Sequence, residues 1–499
     1  MHWTDSIVKK IVAEKGEKKK YTVAAGITPS GEVHIGNFRE IITVDLVARA
    51  LVKAGKKIRF IYSWDDYDVF RKVPKGLPKQ DMLNKNLRKA IVDVSDPFGN
   101  EESYARHFEV EVENDVAKVG IKPEFLYQAK KYRNGDYAKG IKTALDNSSV
   151  IRDILNKYRQ EPLKESWLPL TGFCPKCGKD EIEFSDYNKG KVKFSCKTCN
   201  KVEEISINEK FLKLPWRIDW PMRWSYEKVD FEPGGKDHST EGGSFSTGKE
   251  IVKVYDWTAP TYLMYNFISI KGAGGKISSS LGNVITLGDC LEVYEPEIVR
   301  WLFAGTRPGA EFAISFDVDV LRIYEDFDRC ERIYFGKQDA KNDKDLENQK
   351  AIYELSVVDK VPSKMPLQPS FRHLATLVQL YEGDLDKVEK EVGKGRRIRA
   401  ECAMNWIEKY APEEMKFKLV DKIKSKDIKL IKEVVSKMDG KITDKELHEE
   451  IYKICNENNY EPADFFKLFY KALINKEKGP KLASFLLTIG RVRLDKLLS

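Results

Sequence analysis

The sequence predicts an α/β domain interrupted by an insertion and followed by an all-α region. Three observations carry this. A strand, a glycine-bearing loop, a helix and a second strand succeed one another between Lys20 and Tyr67. That rhythm is lost from about residue 100 to residue 213, where two CxxC pairs fall, and it resumes near Leu214–Trp220. After Gly288 the pattern reads as helix almost to the end, with segments such as Lys422–Met438 and Lys481–Leu498. At 499 residues the chain is also too long for one ordinary core, so several domains are expected.

Taken in order, MHWTDSIVKKIVAEKGEKKK reads as a basic amphipathic helix and then a turn. It has no apolar core followed by a small-residue cleavage site, so it is not read as a secretory signal, and a cytoplasmic location is expected. The apolar run Tyr21–Ile27 is the first strand. TPSGEVHIGN, residues 28–37, forms the junction into a helix. That helix carries apolar residues at Phe38, Ile41, Ile42, Leu46, Val47 and Ala50, a stripe of helical period. Gly55 ends it as a C-cap should, and Lys57–Tyr62 is the next parallel strand, closing a βαβ unit. Open parallel sheets bind ligands at the carboxyl ends of their strands. TPSGEVHIGN and Trp64–Asp68 both lie at such ends.

Composition narrows the class. With 41% hydrophobic and 33% charged residues the chain reads as globular, and no run of 18 uncharged apolar residues predicts a membrane span. The net charge of +8, from 86 basic and 78 acidic residues, is compatible with a polyanionic partner. On composition alone a solvated helical surface rich in Lys and Glu is the better account of it.

Four of the eight cysteines fall as Cys174-Pro-Lys-Cys177 and Cys196-Lys-Thr-Cys199, separated by 18 residues. Two such knuckles complete a tetrahedral zinc site with no open position, hence a structural zinc ribbon. Gly178 follows the first pair, where the knuckle tolerates positive φ. A cytoplasmic chain disfavours disulfides. Cys290, Cys330, Cys402 and Cys455 are scattered and read as packing residues.

His34-Ile35-Gly36-Asn37 sits at the first turn of its helix, where free N–H groups and the helix dipole favour a phosphate. Histidine can hydrogen-bond phosphate oxygens, and Gly36 lets a flat base lie against the backbone. A plain helix cap would explain the histidine alone. The loop Gly272-Ala-Gly-Gly-Lys276-Ile277-Ser278-Ser279-Ser280 adds one lysine and three hydroxyls. Such a loop can close over a triphosphate, although by itself it reads as a surface turn.

With both motifs on the chain, the sequence resembles the class I aminoacyl-tRNA synthetases, and more narrowly the class I lysyl-tRNA synthetases found widely in archaea. HIGN stands where the class carries HIGH, and KISSS where it carries KMSKS. The likeness extends to GITPSGEVHIGNFRE, WDDYDVFRKVP, GKDH and KGAGGKISSSLGNVI. It implies a Rossmann-type domain whose halves, residues 1–100 and 214–288, are split by the zinc-ribbon insertion 101–213. A helical connecting domain at 289–357 and an α-helix-cage anticodon-binding domain at 358–499 follow. It further implies formation of lysyl-adenylate from lysine and ATP with magnesium, then transfer to the 3′-terminal adenosine of tRNA(Lys). The family often requires tRNA before activating its amino acid, and the same is expected here. A monomer is favoured.

The resemblance also implies site residues. His34 and Asn37 are assigned to ATP phosphates and Gly36 to adenine packing; Thr28, Pro29 and Ser30 face the amino-acid side of the junction and are counted with the ATP-binding residues. Lys276 meets the phosphates, with Ile277, Ser278 and Ser280 in the same loop. Gly26 and Thr28 lie where the family contacts the amino acid. Asp65, Asp66, Asp219, Trp220, His238 and Tyr265 belong to segments brought to the cleft, as the carboxylates and aromatic walls an ε-ammonium and its alkyl stem require. Arg396, Arg397, Arg399, Arg491 and Arg493 are candidates for tRNA phosphates and bases. Asn37 and Ser279 depart from the family's His and Lys, so the motifs hold fewer cations. Two alternatives remain: a class I synthetase for glutamate, arginine or cysteine, or a non-catalytic tRNA-binding protein on the same fold.

Overall fold

The computed structural model describes residues 2–271, 284–425 and 427–499. The chain divides into two compact units: residues 1–290, 299–314 and 339–361 form the first, and residues 291–298, 315–338 and 362–499 the second.

The first unit is built on a five-stranded, wholly parallel sheet. Its strands are β1 (Lys20–Ile27), β2 (Lys57–Trp64), β3 (Glu124–Tyr127), β4 (Phe231–Gly235) and β5 (Thr261–Tyr265), in the order β5-β4-β1-β2-β3. Tyr21, Val23, Ala24 and Ala25 are all buried, the near-continuous apolar run that a strand covered on both faces demands. Strands β1 and β2 finish level, with Ile27 opposite Trp64, and the Asp65 N–H donates to the Ile27 carbonyl at 2.9 Å. Strand order reverses at β1, with β2 on one side and β4 on the other. A crevice opens at such a switch point.

Helix α1 (Trp3–Lys15) starts at a capping box in which the His2 ring accepts from Thr4 N–H and Asp5 accepts from His2 N–H. Helix α2 (Ile35–Lys53) follows β1 and buries Phe38, Ile41, Ile42, Leu46 and Val47. Ala54 caps it and Gly55, with φ +79°, reverses the chain.

Two strands depart from the sequence reading. β3 lies inside residues 101–213, the segment read as an insertion, yet it pairs with β2 from Ile61↔Glu124 to Trp64↔Tyr127. Phe312–Ile314, in the stretch read as helical, pairs in parallel with Ile268–Ile270. Both segments are too short for a period-two pattern to declare itself. The cysteine-bearing segment adds an antiparallel sheet of Ile182–Asn188, Lys191–Cys196 and Val202–Ser206.

The second unit is predominantly helical. The predicted helix Lys481–Leu498 is two helices, Leu482–Ile489 and Arg491–Leu498, because Gly490 sits at φ +79° between them. In this unit Arg399 is fully buried and pairs with Glu295 at 2.5 Å and Asp328 at 2.9 Å. Among the described residues no helix is long and apolar enough to cross a membrane.

Candidate functional site

The carboxyl ends of β1, β2, β4 and β5 open onto a cleft of about 720 Å³. TPSGEVHIGN forms one wall. Its first turn is closed by Ser30 N–H donating to the Thr28 carbonyl at 2.8 Å, and Tyr104 Oη donates to the Ser30 carbonyl at 3.0 Å. Thr28 Oγ1 donates to Asp68 Oδ2 at 3.0 Å, tying this wall to the segment after β2. His34 is the N-cap residue of α2 and makes no side-chain cap bond. A Cβ on Gly36 would stand 2.8 Å from the His34 ring, so the glycine leaves the space that the imidazole occupies. Thr28, Ser30, His34 and Asn37 line the cleft together with His238 and Tyr265. Pro29 is buried in the turn itself.

A smaller pocket shares Gly26, Glu40, Asp65, Trp216 and His238 with this cleft and extends past Trp220, Arg223 and Glu232. Trp216 and Trp220 stack with centroids 5.2 Å apart, giving the pocket an aromatic wall. Burial holds His238 below its ordinary value, so it is a neutral ring beside them.

The acidic groups here fall into two kinds. Asp65 and Asp219 share one cation, since Arg223 pairs with Asp65 at 2.6 Å and with Asp219 at 3.3 Å. Burial still raises the Asp65 carboxyl, with the Arg223 charge pulling it back. Glu40 and Glu232 make no ion pair among the described residues, although the Arg223 charge still acts on Glu232. Glu40 accepts from Gly26 N–H at 3.0 Å and from Tyr265 Oη at 2.6 Å. Glu232 accepts from the indoles of Trp220 at 3.1 Å and Trp224 at 2.6 Å. Desolvation pushes each up to about 7, and Glu232 adds to the rise at Glu40. Glu40 is half-buried and borders the open cleft, whereas Glu232 is buried at 8% exposure.

Not every predicted residue reaches this place. Asp66 is a correction: it is 3% exposed and turned away from the cleft, where it accepts the Ala129 N–H at 2.7 Å in the first turn of the helix Gln128–Asn134. Asp219 stands behind the pocket wall, held by Arg223 and by Tyr132 Oη. Lys276, Ile277, Ser278 and Ser280 lie outside the described residues. Arg399 is a structural ion-pair centre and not a surface cation. Arg396 approaches Glu295 at 3.6 Å and Arg397 pairs with Asp386 at 2.6 Å. Arg491 and Arg493 donate to the carbonyls of Met438 and Leu380 at 3.1 and 3.0 Å. Glu40, Arg223 and Glu232 were not anticipated. The available signal for Glu40 was a charged residue between Phe38 and the apolar pair Ile41–Ile42, in the first turns of the helix that follows the motif.

The four thiols of Cys174, Cys177, Cys196 and Cys199 lie within 4.8 Å of one another. Cys174 and Cys199 are 3.6 Å apart, as are Cys177 and Cys196. A tetrahedral ZnS4 centre with bonds of about 2.3 Å has edges of about 3.8 Å, so the cluster fits zinc. Gly178 at φ +75° donates its N–H to the Cys174 carbonyl at 2.7 Å, and Asn200 at φ +53° holds the matching place in the second knuckle. Cys290, Cys330, Cys402 and Cys455 are buried.

With this geometry in view, comparisons supply a context. Residues 1–359 match the family model described as tRNA synthetases class I (K). A lysine–tRNA ligase of Borrelia garinii subsp. bavariensis is 51% identical over 100% of this chain and 99% of that protein. One from Treponema pallidum is 43% identical over 100% and 98%, and one from the archaeon Thermococcus kodakarensis is 43% identical over 98% of each.

Proposed function

The chain belongs to the class I (K) tRNA synthetase family, and on that premise we propose that it is a lysine–tRNA ligase. The observation that carries the amino-acid choice is Glu40, a desolvated carboxyl group that makes no ion pair among the described residues, on the wall of an aromatic pocket. An ε-ammonium there would neutralise it, with the alkyl stem against Trp216 and Trp220. Among the described residues that line this smaller pocket Arg223 is the one guanidinium or ammonium, and it is committed to Asp65 and Asp219, so the pocket offers a substrate side-chain carboxylate no uncommitted cation.

In this reading a lysine carboxylate oxygen attacks the α-phosphorus of ATP and pyrophosphate leaves. A ribose hydroxyl of the terminal adenosine of tRNA(Lys) then attacks the carbonyl, and AMP leaves. The protein contributes position and electrostatics, since the substrate supplies its own nucleophile. ATP would lie at the N-terminus of α2, with His34 and Asn37 toward its phosphates and Lys276 as the sequence-based candidate for the opposite side. Magnesium would be held through the phosphates; among the described residues the thiol cluster is the one group of three or more potential ligands that converge. The residues 358–499 would read the anticodon, and the enzyme would act in the cytoplasm.

Incubation of the protein with lysine, ATP, magnesium and tRNA(Lys) should yield lysyl-tRNA. Product with another amino acid and none with lysine would overturn the specificity; tRNA binding with no ATP–pyrophosphate exchange would overturn the enzyme. Within that assay, His34→Ala should lower adenylate formation by about 10²-fold, as loss of one preorganised donor does, with tRNA affinity within about twofold. Equal losses in both would remove its assignment to ATP.

Zinc would be held by Cys174, Cys177, Cys196 and Cys199 and would supply cross-linking, not chemistry, because four thiolates leave no open position. Cys177→Ser should reduce bound zinc from one equivalent toward none and expose the segment between Cys174 and Cys199 to protease. Retention of a full equivalent would show that the thiols are not the ligands.

A further inference from the structure

The inner wall of the cleft is acidic, with Glu32, Glu40, Asp65 and Asp68 along it. A polyanion entering it needs cations at the rim. Most cations nearby are already committed: Lys213 to Asp68 at 2.8 Å, Arg223 to two aspartates, and Arg88 to Asp180 at 2.8 Å. Among the described residues that line the cleft, Arg71 and Lys72 are the exception. Both line the cleft and both are exposed. Neither makes an ion pair or a side-chain hydrogen bond among the described residues.

The residues just before them are anchored, and the Arg71 charge reaches Asp180 through space without an ion pair. Phe70, 1% exposed, donates its N–H to Lys89 and accepts from Arg88 N–H, both at 2.8 Å, and Val69 bridges Ala90. Pro74 packs 3.5 Å from the Cβ position of Gly31. The two cations therefore follow directly on an anchored residue, Phe70, in a cleft lining that also includes Gly31 and Pro74. Cations of this kind suit phosphate, Arg71 as a two-pronged donor and Lys72 as a point charge.

We propose that Arg71 and Lys72 bind the phosphodiester chain of the tRNA 3′ end as it enters the cleft. The proposal rests on the lysine–tRNA ligase reading. In that reading the terminal ribose must reach the same cleft as ATP, so the preceding phosphates pass its rim. Phosphate is the shared chemistry of tRNA and ATP, and the experiment separates the two.

The test is steady-state aminoacylation by Arg71→Ala, Lys72→Ala and the double variant. The double variant should raise the KM for tRNA about tenfold, with the KM values for ATP and lysine within about twofold. The slope of log affinity for tRNA against log salt should shrink by about 0.7 for each cation removed from a single strand. With tRNA lacking its three terminal nucleotides, wild type and variant should bind alike, and Arg71→Lys with Lys72→Arg should recover most of the affinity for full-length tRNA. An unchanged KM for tRNA, a rise confined to ATP, or equal losses on full-length and truncated tRNA would each overturn the proposal. Charging of lysine by the wild type in the same assay tests the underlying reading separately.

Discussion

Glu40→Gln should lower the affinity for lysine by about 10² or more while leaving the fold intact. Breaking one partner of a desolvated charge pair costs about 2–5 kcal/mol of binding, and the carboxyl group at stake is desolvated and makes no ion pair among the described residues. Glutamine keeps a carbonyl oxygen for the Gly26 N–H, and Tyr265 Oη can turn to accept where it now donates. The pH dependence gives a second reading of the same group. Burial pushes Glu40 up to about 7, and an ammonium ligand favours the ionised form. Lysine affinity should therefore rise from pH 6 to pH 8 and then level, and in Glu40→Gln this rise should diminish. Stability runs the other way. A carboxyl raised from its ordinary range to about 7 binds a proton in the folded state that the unfolded state has lost, so its contribution to stability falls as pH rises from about 4.5 to 7. Glu40→Gln should flatten that decline in thermal unfolding without ligand. Glu232→Gln serves as the control, because that carboxylate is saturated by two indoles and set deeper. Equal calorimetric affinities for lysine in wild type and Glu40→Gln would remove the assignment.

What could be read from the chain alone was whatever has a local period or a fixed spacing. The stripe from Phe38 to Ala50 gave helix α2, and the run before it gave β1. The CxxC spacing anticipated thiols that converge to within 4.8 Å. The first signature was read as a strand-to-helix junction, and His34 is indeed the N-cap residue of α2. Properties set by tertiary pairing were not readable in this way. Glu124–Tyr127 becomes an edge strand because β2 offers it a partner, and nothing within four residues announces that. Asp65 and Asp66 are adjacent in sequence, so their alternation could not say which would face the cleft. The strand end sends one to Arg223 and the other to the Ala129 N–H. Arg399 looked like its neighbours in a basic run until Glu295 and Asp328 closed around it. The pocket carboxylate was hidden for a similar reason, since Glu40 acquires its character from β1 and Tyr265, elements distant in the chain.

The strongest effect on stability should come from Arg223→Leu. The guanidinium is 7% exposed, holds Asp65 at 2.6 Å and Asp219 at 3.3 Å, and lies over the Trp216 ring at 5.3 Å. Removing it leaves two buried carboxylates without a counter-charge, a change that costs about 3–5 kcal/mol. Calorimetric unfolding should show the loss at neutral pH, and it should lessen as pH falls and the stranded carboxyls take up protons. Adding Asp65→Asn and Asp219→Asn should restore most of the stability, because neutral amides carry no uncompensated charge into the core. This triple variant also decides between pocket carboxylates. If Arg223 exists to silence Asp65 and Asp219 so that Glu40 is left as the acceptor of the ammonium, the triple variant should bind lysine within a fewfold of wild type. If instead it folds and no longer binds lysine, Asp65 is the acceptor and Glu40 is not. Both outcomes follow from the same arrangement, in which Glu40 and Asp65 border one pocket, Asp219 stands behind its wall, and the placement of a single arginine makes them unequal.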